Sequence, residues 1–538
     1  MNKFASLLNA TMAGGIQLFR YRGKTERSRR IVPVLLGAFI GLSMMMSASA
    51  MVVELKGDGL DSSVVLSIYT LLTAIIIVTE GVYKSGDLLF RPRDNDMLLA
   101  MPIPKSTIVA VRMIKFYLFE LVYCMIILLP AMVAYAVNNE VGASYYLVAA
   151  TMMLLVPIIP IAISCLVGLF TSAFSARFKR RTFLQVAISL VIMLGFAAML
   201  FVAGMMPDGG SSSAMIANSK ITEFYYPASA FASLVRDYSW WQYLVFVLVN
   251  LLVAAVTVAV IGRFYFRTIS KLGTIRRTGV SKMKYRFTRH SQTMAIVRKE
   301  LNRYFNTPVL LINTAMGLVL FIVVVVAICF KYDDIVGSLM SSMENFPLTP
   351  DEIFLHMPSV AMGLVAFASL MTFITVTTLS LEGRAFNTLK SLPISGIRVI
   401  MSKVLAAMLI IAPVTVLGGV MMAIRFQFGI VETVLVFVAA IAMPLVAELI
   451  GVLIDLKYAK FDAESDAVTV KQSAGVMVAT FLGLIMVLFT ISLLFAVVFL
   501  AGQLAGLIML DAIFLIVALF LLFAVGTRGE EKYTEMMA

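Results

Sequence analysis

Arg384-Ala-Phe-Asn387-Thr-Leu389-Lys-Ser-Leu-Pro393-Ile394, with Lys403 beyond it, answers an earlier segment of the same chain. That segment reads Arg93-Asp-Asn-Asp96-Met-Leu98-Leu-Ala-Met-Pro102-Ile103, with Arg112 beyond it. The arginine, the Asp/Asn position, the leucine, the Pro-Ile pair and the later base all recur at an interval of 291 residues. Each copy is a short charged segment ended by proline, and each lies between long apolar runs. A duplication of this kind divides the chain into two halves.

Outward from these segments the sequence is that of a membrane protein. Hydrophobic residues make up 61% and charged residues 14% of the chain, and the mean hydropathy is +0.97. Apolar runs of about 20 residues recur, each long enough to cross a hydrocarbon core of roughly 30 Å. They lack the alternation of barrel strands, and backbone in lipid must satisfy its own hydrogen bonds, so the expected fold is an all-α polytopic membrane protein. The expected spans are 31–53, 64–84, 116–137, 145–173, 183–205, 241–262, 308–330, 358–381, 404–424, 430–455, 474–498 and 507–526, twelve in number.

With both termini in the cytosol, the inward segments carry 38 of the 43 Lys and Arg residues, and the outward loops hold only Lys56, Lys220, Arg236, Lys331 and Arg425. That bias is the one the positive-inside rule demands. It also disposes of a nucleic-acid partner for the net charge of +13, because the bases are spread along one membrane face.

Further matches support two parallel six-helix repeats, each preceded by an amphipathic interfacial helix. Leu18-Phe-Arg-Tyr-Arg22 precedes the first span, and Arg298-Lys-Glu-Leu-Asn-Arg-Tyr304 precedes the seventh. Gly168 through Phe178 aligns with Gly451 through Phe461 at an interval of 283. The expected organisation is a first half over 1–262, a basic cytoplasmic linker with the second amphipathic helix over 263–306, and a second half over 307–538. Anchoring of the linker bases to anionic lipid is the simple account of their number, at roughly 1 kcal/mol each.

Chemistry is sparse. Cys124, Cys165 and Cys329 lie inside apolar runs and make neither a disulfide framework nor a metal cluster. His290 and His356 stand in loops on opposite faces, so no metal site is expected. There is no G-x-x-x-x-G-K-[ST] loop, no G-x-S-x-G elbow and no cleavable signal core, so no catalytic residue and no cofactor of its own are expected for this chain.

The order of amphipathic helix, two spans, a cytoplasmic segment ending in Pro-Ile and four more spans resembles the permeases of type-2 ABC exporters. Their cytosolic stretch is similar to Glu382-Gly-Arg-Ala-Phe-Asn-Thr-Leu-Lys-Ser-Leu-Pro-Ile-Ser395. The resemblance implies a coupling helix in each half, carried by Arg93, Asp96, Leu98 and Pro102 and by Arg384, Asn387, Leu389 and Pro393, docking on separate ATPase subunits in two copies that bind ATP and Mg. It implies a prokaryotic plasma membrane, outward transport of a hydrophobic or amphipathic substrate, and no second permease chain, since the halves are fused. The first copy has Arg91-Pro-Arg93 where the second has Glu382-Gly-Arg384, so an acidic position is lost there.

Five carboxylates fall within apolar runs: Glu80, Glu120, Glu448, Asp455 and Asp511. A charge at mid-bilayer is costly, so each needs a partner or a cavity. Pairing with Lys84 and with Lys457 is expected for Glu80 and Asp455, and Lys115 or Arg112 is within reach of Glu120. Glu448, between Pro444 and Gly451, is either a polar group on a transport route, with Glu120, or an interhelical hydrogen-bonding group. A twelve-span secondary transporter driven by an ion gradient is the alternative function.

Overall fold

The computed structural model describes residues 26–86, 89, 100–174, 188, 191, 195, 225–278, 291–342, 350–459, 461, 469–470 and 473–536. Among the described residues eleven helices are long and apolar enough to cross a membrane, and no strand occurs. Each coincides with one expected span. The remaining expected span, 183–205, lies outside the described residues. Third and ninth spans start earlier than hydropathy suggests, at Lys105 and Gly396, because their polar entry turns are already helical.

The chain forms two compact units, Met1–Tyr285 and Arg286–Ala538. The division falls inside the expected linker 263–306, whose two ends are helical. In the first unit the helices are α1 (Glu26–Gly57), α2 (Val64–Ser85), α3 (Lys105–Asn138), α4 (Ala143–Leu155), α5 (Ile158–Phe174), α6 (Tyr226–Arg236) and α7 (Trp240–Thr278). α4 and α5 make one span, Ala143–Thr171, interrupted where Pro157 withholds a backbone donor. At 39 residues α7 is about 58 Å long, well beyond a bilayer core. α1 packs on α3, α2 on α3 and α5, and α5 on α7, around buried Phe116, Phe231, Phe246 and Tyr265.

The second unit holds α8 (Gln292–Asn306), α9 (Pro308–Ser342), α10 (Pro350–Leu355), α11 (Met357–Leu370), α12 (Phe386–Lys390), α13 (Gly396–Arg425), α14 (Ile430–Tyr458), α15 (Ala474–Ala501) and α16 (Gln503–Glu535). α9 packs on α13, α11 on α13 and α14, and α14 on α16, so the first unit's pairings recur here span for span. α8 is the expected amphipathic helix. Ser291 caps it by accepting from Met294 N–H at 3.3 Å, and its buried residues Ile296, Val297, Glu300 and Tyr304 share one face. The corresponding Leu18–Arg22 stretch lies outside the described residues.

One span in this unit is not a continuous helix. α11 stops at Leu370, and the span Met357–Gly383 finishes as two 3-10 turns, Thr375–Thr377 and Ser380–Ala385. The run Thr372-Phe-Ile-Thr-Val-Thr-Thr378 explains the break. Its hydroxyls bond locally, Thr372 to Ala368 O at 2.8 Å and Thr378 to Thr375 O at 3.0 Å, which competes with a helical ladder. α15 closes on the end of α11 at Gly483, where a Cβ would collide with the Leu370 carbonyl.

Candidate functional site

Irregular backbone at membrane depth survives only where protein satisfies it. α14 supplies the partners. Glu448 accepts from the N–H groups of Ile374 and Thr375 at 2.9 and 2.8 Å, and Thr375 Oγ1 donates to the Glu448 carbonyl at 2.6 Å. Two turns on, Asp455 accepts from Leu379 N–H at 2.6 Å and from Ser380 Oγ at 2.5 Å. Both carboxylates are buried. Lys457 is therefore not the partner of Asp455; loose N–H groups on another span take its place. Glu448 has the geometry of the interhelical hydrogen-bonding alternative.

Beyond the broken span the chain turns through Gly383, whose φ of +53° and ψ of −134° suit a residue without a Cβ. Here Glu382 enters a buried ion cluster. Lys403 Nζ donates to Glu382 at 2.9 Å and to Glu300 at 2.8 Å, Arg303 reaches Glu382 at 2.6 Å, and Lys299 reaches it at 2.6 Å. Three bases on two carboxylates tie α8, the chain before α12 and the start of α13 into one body. Tyr304, next along α8, meets Thr314 Oγ1 at 2.8 Å, and burial pushes its phenol up to about 12.

The second repeated segment follows. α12 buries Phe386 and Leu389, with Phe386 stacked on Phe461 at 4.6 Å and edge-on to Tyr533 at 5.3 Å. The end of α16 clamps both sides of it. Glu530 accepts from Gly396 and Ile397 N–H at 3.0 and 2.6 Å, capping α13, and Lys390 donates to the Thr534 and Met536 carbonyls at 2.7 and 2.8 Å. Leu389, expected to reach a partner, is only 7% exposed and belongs to the chain's own core. The apolar group facing outward is Leu392, 46% exposed, beside exposed Asn387 and Pro393. Arg384 sits in the second 3-10 turn.

In the first copy Arg93, Asp96 and Leu98 lie outside the described residues, while its end is described. Ile103 N–H donates to Met101 O at 2.8 Å, and Ile394 N–H to Leu392 O at 2.8 Å, so both copies close with one turn. Met101 is 40% exposed, Pro102 is exposed, and α3 starts at Lys105 as α13 starts at Gly396. The later base is buried in each: Arg112 bonds to Tyr265 Oη and to Leu89 O, as Lys403 bonds within its cluster.

Glu120, on α3, has a base of another helix as a charge partner. Lys84 of α2 reaches it at 3.1 Å and also holds Glu80 at 2.5 Å, one lysine serving two carboxylates. Asp511, on α16, is buried, and neither of its oxygens has a hydrogen-bond partner among the described residues. No group of three or more metal-ligating side chains occurs among the described residues. No curated protein and no solved structure matches the chain. A family model described as "Membrane protein of 12 TMs" matches residues 31–526, the length of the apolar chain from first span to last, and the chain belongs to that family.

Proposed function

We propose that this twelve-span protein is the permease of an ATP-driven exporter, and that separate ATPase subunits dock on its two repeated turns. The observation that carries the reading is the recurrence of one turn in two units, each offering an outward apolar residue and a proline just before a helix with a buried base. Met101 and Leu392 are the apolar contacts, Pro102 and Pro393 end the segments, and exposed Asn387 supplies a polar neighbour in the second copy. A small interface carries force when an apolar anchor is ringed by charge. The ion cluster beside α12 makes the second segment rigid enough to pass a push into α8 and α13. ATP and Mg belong to the partner, in two copies, and the fused halves replace a permease dimer. A prokaryotic plasma membrane with both termini cytosolic completes the reading.

Leu392→Asp and Met101→Asp test it. Each is expected to lower the amount of ATPase recovered with the purified chain at least ten-fold, since an unpaired charge buried at a contact costs well over the roughly 1.4 kcal/mol that ten-fold represents. Yield and thermal midpoint of the chain itself should not move, because both positions face outward. A chain that keeps its full complement of ATPase in both variants removes the two turns as docking sites.

A secondary transporter is the second reading, and Asp511 favours it. A buried carboxylate with no hydrogen-bond partner among the described residues is a natural proton or cation site. Transport that persists without any ATPase and collapses on dissipating the ion gradient, with Asp511→Asn inactive, would establish that reading in place of the first.

A further inference from the structure

The first unit makes the crossing seen at Glu448 with an unbroken span. At the interval of 283 residues Glu448 answers to Cys165 and Asp455 to Ser172, and at 291 residues Thr375 and Val376 answer to Lys84 and Ser85. α2 stays helical through Ser85. Ser85 Oγ donates to the Ser164 carbonyl of α5 at 3.0 Å, as Thr375 Oγ1 donates to the Glu448 carbonyl of α14 at 2.6 Å. Gly168 and Gly451 let the two crossings close, since a Cβ on either would collide with Ser85 or with Thr375. The crossing is common to both units, while the two carboxylates and the break occur together in the second.

Both acids act on the broken backbone. Glu448 takes the N–H groups of Ile374 and Thr375 on separate oxygens. Asp455 takes the N–H groups of Leu379 and Ser380 on one oxygen and the Ser380 hydroxyl on the other. These donors suit the ionised form, in which every oxygen accepts. A bond to a charged acceptor is about twice as strong as one to a neutral acceptor. A proton on either acid removes that charge and turns one accepting oxygen into a hydroxyl, so it loosens the segment. Room for this is present: Ile374 and Thr378 line a cavity of about 10 Å³, and Phe373, Val376 and Thr377 line one of about 40 Å³. The smaller cavity has space for about one water. Tyr304, Arg303 and Lys403 line it too, so it offers a proton a water-sized step from the ion cluster to Ile374.

The charged and titratable groups around the two acids come from several elements. α13 brings Lys403, whose charge acts on Asp455, and α8 brings Tyr304, whose phenol feels Glu448. The Ser380–Ala385 turn brings Glu382, tied into the ion cluster. α16 brings Asp511, with Arg528 and Glu530 at its end. The 3.0 Å bond from Gln503 to Glu432 sets Asp511 level with Ala440, about two turns from Glu448. α11, α15 and the Thr375–Thr377 turn carry no titratable side chain.

We propose that Glu448 and Asp455 form a proton-operated latch on the broken span: ionised, they hold residues 374–380 against α14, and protonated, they release them. Protons bind the released form more tightly, so the latch is closed at high pH and opens as pH falls. The inference does not rest on ATP coupling, because the latch is read on the chain alone, without ATPase or nucleotide.

Hydrogen–deuterium exchange of the full chain in nanodiscs, at about pH 8 and about pH 5, tests the latch, each rate being divided by that of the same sequence unstructured at that pH. Peptides covering 371–376 and 377–382 are read separately, with 486–494 of α15 as the internal reference. Protection of both peptides is expected to fall about ten-fold from the higher pH to the lower, the effect of taking the charge from one strong bond, while the reference holds. Glu448→Gln should leave 371–376 poorly protected at both pH values and keep the pH response of 377–382. Asp455→Asn should do the reverse, so either variant carries the test if the other fails to fold. Protection that ignores pH in the unsubstituted chain, a fall shared by α15, or a pH response at 371–376 that survives Glu448→Gln would overturn the latch.

Discussion

Glu448 shows what a single side chain does at membrane depth. Its two oxygens take two backbone donors of a neighbouring span that has stopped being a helix. Glu448→Gln keeps one acceptor oxygen and turns an amide NH2 toward the other donor. The expected cost is about 1–3 kcal/mol, the price of leaving one buried donor unmade, read as a lower thermal midpoint in detergent. An unchanged midpoint would leave the carboxylate free for a role on a transport route. Little of this was legible in the sequence. Glu448 stood out as a deep carboxylate, but its partners lie 74 residues away and are main-chain groups, which carry no residue-type signal. Asp455 misled for the same reason, since nearby Lys457 is the obvious ion partner and the actual donors are Leu379 and Ser380. Glu120 finds its lysine 36 residues back on another helix, beyond the reach of any rule about neighbours on one face.

At the level of elements, the spans were readable because bilayer thickness fixes their length, and the repeated segments because their spacing is kept to the residue. The break in Met357–Gly383 was not. Its composition is apolar enough for a span, and only the clustering of threonines marks where the ladder fails. Nor was the orientation of α12, a helix of five residues whose inward face is chosen by Ile296, Tyr533 and Phe461 from three other places in the chain. Hence Leu392, not Leu389, points out. Gly383 makes the turn after the break possible, so Gly383→Ala is expected to cost about 1–3 kcal/mol through backbone strain alone. Thermal unfolding of the purified variant measures this, and an alanine that is neutral there would mean that the turn relaxes without loss.

At the scale of the molecule, positive-inside counting gives an expected face for each loop, which labelling tests. A cysteine in place of Ser144, in the exposed first turn of α4, and one in place of Ser291, at the start of α8, should label from opposite sides of intact membranes with an impermeant thiol reagent. Background is low, because Cys124, Cys165 and Cys329 are buried. Labelling from one side only would contradict the orientation. The discontinuous span also bears on how such a chain is made. Its loose N–H groups find their acceptors on α14, which the ribosome produces 74 residues after Ile374. At about 5–20 residues per second that is roughly four to fifteen seconds of synthesis. Through that interval the segment is an incomplete solute for lipid, with donors that hydrocarbon cannot satisfy. The insertion machinery must therefore shelter it, or hold it at the wet interface, until the fourth span of the half arrives to finish it.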